Sequence, residues 1–296
     1  MVKPALSIGL LLQSPEAFET CRSWLPANRY QPIDLPLEGG GDLLKTLESQ
    51  RELLDAIVVD QSLFDPQNRE ALQQQGLVFP AVVVGALKGK IDYHAEEVHL
   101  PVDQLEQLGY SVDAAISRFL RHHFKDGQER EQSSLENHAD ANSHEVWRLQ
   151  SRLQERLGCL GVFYKRDPSR FLRNLPSDEQ KELLQSLQRT YRNLLSSYFR
   201  DPGAANQALE SFVNTAFFGD LPITRAVEIH MNLMDGFLQQ LKLAGKEDDF
   251  LQDYRLALLD VMAHLCEMYR RSVPADQPIQ ATEISSYSEQ KSELLS

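Results

Sequence analysis

The sequence LQERLGCLGVFYKRDPSRFLRNL, residues Leu153–Leu175, lies where one kind of composition gives way to another. It opens with a helical pattern, is interrupted by Gly158 and Gly161, and restarts at Asp167 next to a proline. Glycine interrupts a helix because it loses more backbone freedom on ordering than any other residue. Short apolar runs alternate with helical patterns before this stretch, and only the helical period continues after it. We therefore predict an α/β region followed by an all-α region.

The size and charge of the chain exclude several classes of protein. A length of 296 residues suggests about two domains. A net charge of −13 argues against nucleic-acid binding, because most of the surface would repel a phosphate backbone. No apolar run approaches the roughly 18 residues of a membrane span. Three cysteines without CxxC spacing give no zinc site and suit the reduced, mostly buried thiols of a cytoplasmic protein.

The first region, residues 1–124, has the alternation typical of βαβ units and a parallel sheet. We predict a receiver-like, flavodoxin-like domain, whose functional edge is formed by the carboxyl ends of its strands. The predicted strands are 6–12, 30–35, 56–60, 81–84 and 97–100, and the predicted helices are 15–25, 41–52, 66–75 and 112–122.

The functional edge of this domain lacks the residues of a phosphorylated receiver. Asp60 ends the third strand, but Gln13 and Ser14 stand where an acidic pair is needed to hold magnesium. Gly85 replaces the hydroxyl residue after the fourth strand, and Pro101 replaces the lysine after the fifth. We therefore predict a binding or regulatory module without phosphoryl chemistry, in which Asp60 caps the following turn.

Two segments are too polar to bury a core. Residues 125–144 read KDGQEREQSSLENHADANSH, and we predict a flexible linker there. Residues 275–296 are rich in serine and other polar residues, and we predict a disordered tail.

Residues 145–274 show helical periodicity broken at short intervals by glycine and proline. Connections of a few residues between long helices imply antiparallel neighbours and hence a helical bundle. The predicted helices are 145–157, 177–199, 206–218, 223–243 and 248–271.

The last predicted helix carries two stripes. Apolar residues at spacings of three and four predict a core-facing stripe, formed by Leu251, Tyr254, Leu258, Val261, Leu265 and Met268. The second stripe is polar and contains Asp260, His264, Glu267 and Arg271 at spacings of four, three and four. Side chains at these spacings meet, so we predict that the Asp260 carboxylate holds the imidazole of His264.

The polar stripe has four possible interpretations. A metal site is disfavoured because His264 and Cys266 face different directions on a helix and no HExxH pattern occurs. A hydrolytic triad is disfavoured because no GxSxG elbow is present. An ordinary solvated ion-pair face and a surface that captures a peptide both remain open.

The fourth predicted helix supplies a wall for such a surface. Met231 and Met234 lie three residues apart on one face, beside His230 and Asp235. Methionine adapts to a partner but also fills cores, so the pattern permits both interpretations.

Several long segments resemble one family. LQERLGCLGVFYKRDPSRFLRNLP, VEIHMNLMDGF at 227–237 and DYRLALLDVMAHLCEMYRRSVP at 253–274 are similar to the carboxy-terminal domain of the KaiA family of cyanobacterial circadian clock proteins. The first region resembles the family through FPAVVVG at 79–85 and HLPVDQLEQLGYSVDAAISRFLR at 99–121.

The resemblance implies a non-enzymatic homodimer with an amino-terminal pseudo-receiver, a linker that exchanges between subunits and a four-helix bundle that makes the dimer contact. It implies capture of the C-terminal peptide of the KaiC hexamer, stimulation of KaiC autophosphorylation, and sequestration by the KaiB–KaiC complex in the opposite phase. His264 corresponds to the histidine of the AHLCEMYRR motif, which the family needs for stimulation. The candidate partner-binding residues are Met234, Asp235, Asp260, His264, Met268 and Arg271.

Two further points follow from the resemblance. It implies that the first domain senses oxidised quinones, although no pattern in that domain indicates a quinone pocket, and we predict no cofactor. The alternative function, from a different class, is a two-component response regulator with a helical effector domain, which requires Asp60 to accept a phosphoryl group.

Overall fold

The computed structural model describes residues 5–35, 43–133, 141–157, 166–243 and 253–272. The structural statements below refer to these residues. Within them a parallel sheet with flanking helices precedes an all-helical region, which confirms the predicted fold class. Residues 275–296, predicted as a tail, lie outside the described ranges.

The sheet has five parallel strands in the order β2-β1-β3-β4-β5. This is the order of flavodoxin-like sheets, and β1 and β4 consist entirely of buried residues because helices cover both faces. Each strand falls within a residue of the predicted bounds. The strands are β1 Leu6–Leu11, β2 Tyr30–Asp34, β3 Ala56–Asp60, β4 Ala81–Val84 and β5 Val98–Leu100.

Four helices belong to the sheet region: α1 Pro15–Ser23, α2 Leu43–Ser49, α3 Pro66–Gln74 and α4 Leu108–Ser133. Ser14 and Asp65 cap α1 and α3 by accepting backbone N–H groups, and each is followed by a proline that suits the first turn. Asp60 accepts hydrogen bonds from the backbone N and Oγ of Ser62 at 3.0 and 2.5 Å. This carboxylate therefore caps a short 3-10 helix, as predicted.

The all-helical region contains α5 Ala141–Leu157, α6 Ser177–Ser197, α7 Pro202–Phe218, α8 Ile223–Leu243 and α9 Arg255–Ser272. α7 starts four residues before its predicted position, because Asp201 accepts a hydrogen bond from the backbone N of Ala204 at 3.0 Å and Pro202 follows it. These residues begin one helix as well as ending another. α7 is the most buried helix of the region and packs on α6, α9 and the sheet.

The predicted linker over residues 125–144 is helical at both of its ends. α4 continues to Ser133 and α5 begins at Ala141, so residues 125–133 and 141–144 of the predicted flexible linker are helical in the structure. The physical reason is that lysine, arginine, glutamate and glutamine have high helix propensity and extend a helix that is already nucleated. The low hydrophobicity of a segment shows only that the segment cannot form a hydrophobic core by itself. Residues 134–140 lie outside the described ranges.

A buried polar seam joins the sheet region to the bundle. The side-chain amide of Gln107 donates to Ser186 Oγ and Thr190 Oγ1 at 2.9 and 2.7 Å, and its oxygen accepts from Thr215 Oγ1 at 2.8 Å. Thr190 also donates to the oxygen of Gln104 at 2.6 Å. All five side chains are buried, so this contact is specified by hydrogen bonds and not only by apolar packing.

A buried ion-pair cluster forms a second contact. Asp113 accepts from Arg170 of the bundle region at 3.1 Å, and from Arg29 and Tyr30 of the sheet region at 2.8 and 2.6 Å. The guanidinium of Arg170 lies 4.3 Å from the ring centre of Tyr110. One carboxylate is thus shared by two arginines, and aromatic faces stabilise the additional positive charge.

α5 makes a third contact, at the start of β3. The buried carboxylate of Asp55 accepts from the backbone N of Ser7 at 2.8 Å and from Nε of Arg152 at 3.2 Å, and it also pairs with Arg156. Both arginines lie on α5, the helix that opens the stretch Leu153–Leu175. The start of that stretch is therefore attached to the sheet.

The end of the same stretch is packed into the bundle. The guanidinium of Arg166 lies 5.0 to 5.2 Å from the ring centres of Phe171, Phe217 and Tyr269, and it pairs with Asp220 at 2.8 Å. Arg166 therefore has a structural role in the bundle, while Lys165 lies outside the described residues. None of the helices in the described ranges combines the length and apolar character needed to cross a membrane.

Candidate partner-binding surface

The buried face of α9 fixes the orientation of its other faces. Ala257, Val261 and Leu265 recur every four residues and are buried against the bundle. Of the predicted core stripe, Val261 and Leu265 are buried, whereas Tyr254, Leu258 and Met268 are half-buried. Leu251 lies outside the described residues.

An exposed apolar stripe runs along another face of α9. Leu256 and Leu259 are 50% and 62% exposed, and Ala263 and Cys266 continue the stripe at spacings of four and three. This stripe is not among the sequence-based predictions, because the predicted apolar residues of the helix form a single core face. The signal was present as a second set of apolar residues at helical spacing.

The polar stripe does not form the predicted Asp260–His264 side-chain pair. The carboxylate of Asp260 accepts a hydrogen bond from the hydroxyl of Tyr198, the residue that caps the C-terminal end of α6. Burial and this bond raise the pKa of Tyr198 to about 12. His264 is exposed, and its Nδ1 lies 2.8 Å from the backbone carbonyl oxygen of Asp260. Tyr198 draws the carboxylate toward α6, so the imidazole meets the carbonyl one turn earlier instead.

The last turn of α9 is an ion-pair group. Glu267 accepts from Nε and an amino nitrogen of Arg270 at 2.7 Å each, and it also pairs with Arg271. Hydrogen bonds from the two arginines lower the pKa of Glu267 to about 2. Arg271 is therefore held along the helix and remains exposed. A cationic last turn also suits the negative end of the helix dipole.

α8 presents the remaining candidate residues. Met234 is half-buried and packs against the core, whereas Met231 is 53% exposed. Asp235 is exposed and forms no hydrogen bond or ion pair with the other residues that the structure describes. His230 is buried with Nδ1 3.1 Å from the hydroxyl of Tyr191, and burial lowers the pKa of this imidazole. The two methionines thus have different environments despite their spacing.

A group that could hold a metal ion occurs in the sheet region, away from α8 and α9. Asp92, Glu97 and His99 place their ligand atoms within 4.8 Å of one another. His99 Nε2 lies 3.1 Å from Asp92 and 3.3 Å from Glu97, and Glu97 accepts the backbone N–H groups of Asp92 and Tyr93 at 2.7 Å each. These groups satisfy one another, so the arrangement needs no ion to hold the surrounding loop.

The cysteines agree only in part with the predicted buried thiols. Cys21 is buried, and burial raises the pKa of its thiol to about 11. Cys266 is exposed on α9, and Cys159 lies outside the described residues. Neither described cysteine belongs to the group of possible metal ligands found in the described ranges.

Comparison with known families covers both regions of the chain. Residues 155–276 match a model described as the KaiA C-terminal domain, and residues 6–123 match one described as the circadian clock protein KaiA, N-terminal domain. The chain belongs to the KaiA family.

Individual relatives extend over nearly the whole chain of this KaiA family member. A circadian clock oscillator protein KaiA from Parasynechococcus marenigrum is 60% identical over 283 residues, which cover 94% of this chain and 93% of the relative. The KaiA of Synechococcus elongatus is 42% identical, covering 92% of this chain and 98% of the relative. The crystal structure of the C-terminal domain of Thermosynechococcus elongatus KaiA is 49% identical and covers 34% of this chain and 93% of that domain, with a TM-score of 0.31.

Membership of the KaiA family confirms the resemblance of the sequence segments. The C-terminal family model spans the whole of α8 and α9, so all six candidate residues lie within the matched range. Its relatives are named circadian clock oscillator proteins, which identifies this family member as a cyanobacterial clock protein. Their names fit a regulator and describe no catalytic activity.

Proposed function

We propose that this protein is a non-enzymatic activator that binds the C-terminal peptide of the KaiC hexamer and stimulates KaiC autophosphorylation. The observation that carries the proposal is the exposed imidazole of His264, placed between an apolar stripe and a cationic helix end within the matched KaiA domain. Such a surface offers a hydrogen-bonding group and charge to an extended peptide.

The proposed activity needs no reaction on α9. Binding of one peptide conformation lowers the population of the competing conformations, and this shifts the populations of the partner's states. Met231 and Met234 supply flexible apolar contact on α8, and the exposed carboxylate of Asp235 and guanidinium of Arg271 supply the polar contacts. In the opposite phase, the KaiB–KaiC complex sequesters the protein and ends the stimulation.

A homodimer is part of the proposal. Leu256 and Leu259 expose adjacent apolar surface on α9, and contiguous apolar surface of this kind is typical of an interface. A two-fold contact through this stripe would bring the same face of both copies together. Because the polar stripe lies next to the apolar one, the peptide would bind beside the dimer contact. Cytoplasmic localisation stays a prediction.

The test is the substitution His264→Ala, compared with Arg192→Ala at an exposed site on α6. We expect His264→Ala to weaken binding of a synthetic KaiC C-terminal peptide by about tenfold, or about 1.4 kcal/mol, because one peptide-facing polar contact is lost. KaiC phosphorylation falls with it, while sedimentation still reports a dimer. Peptide binding and stimulation equal to those of the control variant would contradict the proposal.

A further inference from the structure

Gln61 directly follows Asp60 at the functional edge of the sheet, and its side chain binds the loop after β4. Nε2 donates to the carbonyl oxygen of Ala86 at 3.1 Å, and Oε1 accepts the backbone N–H of Ala86 at 3.1 Å. Both polar atoms of the amide therefore pair with one backbone unit, as a neighbouring strand would. A Cβ atom added to Gly85 would lie 2.5 Å from Cβ of Gln61. Gln61 thus fills the space next to the position where a receiver carries its hydroxyl side chain.

The same amide continues into a chain of hydrogen bonds. Nε2 of Gln61 donates to Asp92 Oδ2 at 2.8 Å, and the same oxygen lies 3.1 Å from Nε2 of His99 on β5. His99 is buried, and its ring also lies 3.2 Å from Nε2 of Gln207 on α7. Gln61 is therefore connected to the bundle through two side chains.

The loop itself rests on the first two turns of α7. Gln207 accepts the backbone N–H of Gly89 at 2.9 Å and donates to the carbonyl oxygen of Lys90 at 3.0 Å. Gly89 has a φ of 67°, and a Cβ atom there would lie 2.6 Å from Cα of Gly203. Two backbones touch at this point, so the docking depends on the shape of the loop and tolerates little displacement.

We propose that Gln61 is a positioning residue that fixes the loop of residues 85–92 in the shape that docks on α7. A receiver changes this edge by gaining and losing a charged phosphoryl group. Here a neutral amide, permanently attached to the chain, makes the contacts to the loop. The sheet and the bundle are consequently held together at this edge without any covalent modification, and Gln61 sets the strength of that connection.

The full chain tests this by hydrogen exchange measured by mass spectrometry on segments 85–92 and 201–209. Gln61→Ala removes the amide, and we expect exchange in both segments to become about tenfold faster, because opening the loop also frees the first two turns of α7. Gln13→Ala is the matched control: Gln13 lies at the same edge and donates to Ser62 Oγ at 2.7 Å without touching the loop. Gln13→Ala should leave the exchange rates of both segments unchanged.

Two further variants make the outcome decisive. In the Gln207→Ala background, Gln61→Ala should speed exchange of 201–209 no further, because the connection is already cut. Gln61→Asn keeps an amide but moves it back from the loop by one methylene. It replaces Gln61→Ala as the test variant if exchange in β3 shows that Gln61→Ala unfolds the sheet. Faster exchange confined to 85–92, effects that multiply in the double variant, or no effect in either segment would each overturn the proposal.

Discussion

Burial controls the ionisation of His230, one turn before Met234 on α8. The imidazole is buried, contacts the ring of Tyr191 edge-on, and has a pKa below its ordinary value because the cation loses solvation. The folded protein therefore holds this side chain neutral at a pH where the unfolded chain, with a pKa of about 6.5, binds a proton. Its contribution to stability is present above the unfolded pKa and decreases as the pH falls toward the folded pKa.

A prediction follows for the pH dependence of unfolding. Between about pH 7.5 and about pH 5.5 the native chain should lose more unfolding free energy than His230→Gln, which keeps a hydrogen-bonding group but does not titrate there. Urea denaturation of both proteins at the two pH values measures the difference. The native chain and the variant carry every other histidine in common, so equal losses would show that His230 titrates alike in both states.

At the scale of elements, the strands were predictable because β1, β3 and β4 are short apolar runs bounded by polar turns. The helical ends of the segment 125–144 were not predictable from the sequence. Composition shows whether a segment can form a hydrophobic core, but it does not show whether a helix continues into that segment from a packed neighbour. The direction of the Asp260 carboxylate was also beyond sequence reasoning, because its partner Tyr198 lies just after α6, 62 positions earlier in the chain. Spacing along one helix identifies which side chains can meet, but competing partners decide which do.

α9 provides a prediction about its exposed apolar stripe. Leu259→Glu should weaken the proposed dimer at least tenfold, because a charge would have to be buried where 62% of the leucine is now exposed. Sedimentation velocity over a concentration series measures the dissociation constant. Leu53→Glu is the matched control, since Leu53 is 57% exposed in the turn after α2. A dimer equally stable in both variants would place the interface elsewhere.

At the scale of the whole molecule, polar side chains far apart in sequence bind the sheet region to the bundle. Gln107 is separated from its hydrogen-bond partners on α6 and α7 by 79 to 108 positions in the sequence. No local sequence pattern therefore predicts these contacts. A sequence reading identifies both regions but treats them as separate bodies. The two regions instead share buried hydrogen bonds, which must break before either can move.

Gln107→Ala tests this coupling. The substitution leaves the hydroxyl groups of Ser186, Thr190 and Thr215 short of a buried partner, and we expect the free energy of unfolding to fall by about 2 kcal/mol. Urea unfolding followed by far-UV circular dichroism gives the value. Gln74→Ala, at an exposed site on α3, should change it by less than about 0.5 kcal/mol. If Gln107→Ala lowered the free energy of unfolding by as little as the control does, the seam would contribute little to holding the two regions together.

The contact between His264 and the main chain of α9 determines what the free side of the ring can recognise. A carbonyl oxygen only accepts, so Nδ1 carries the proton and the neutral ring offers Nε2 as an acceptor. At neutral charge the ring therefore selects an N–H or O–H group on whatever approaches it. One bond to the helix backbone thus gives this surface a preference for donor groups on an approaching partner.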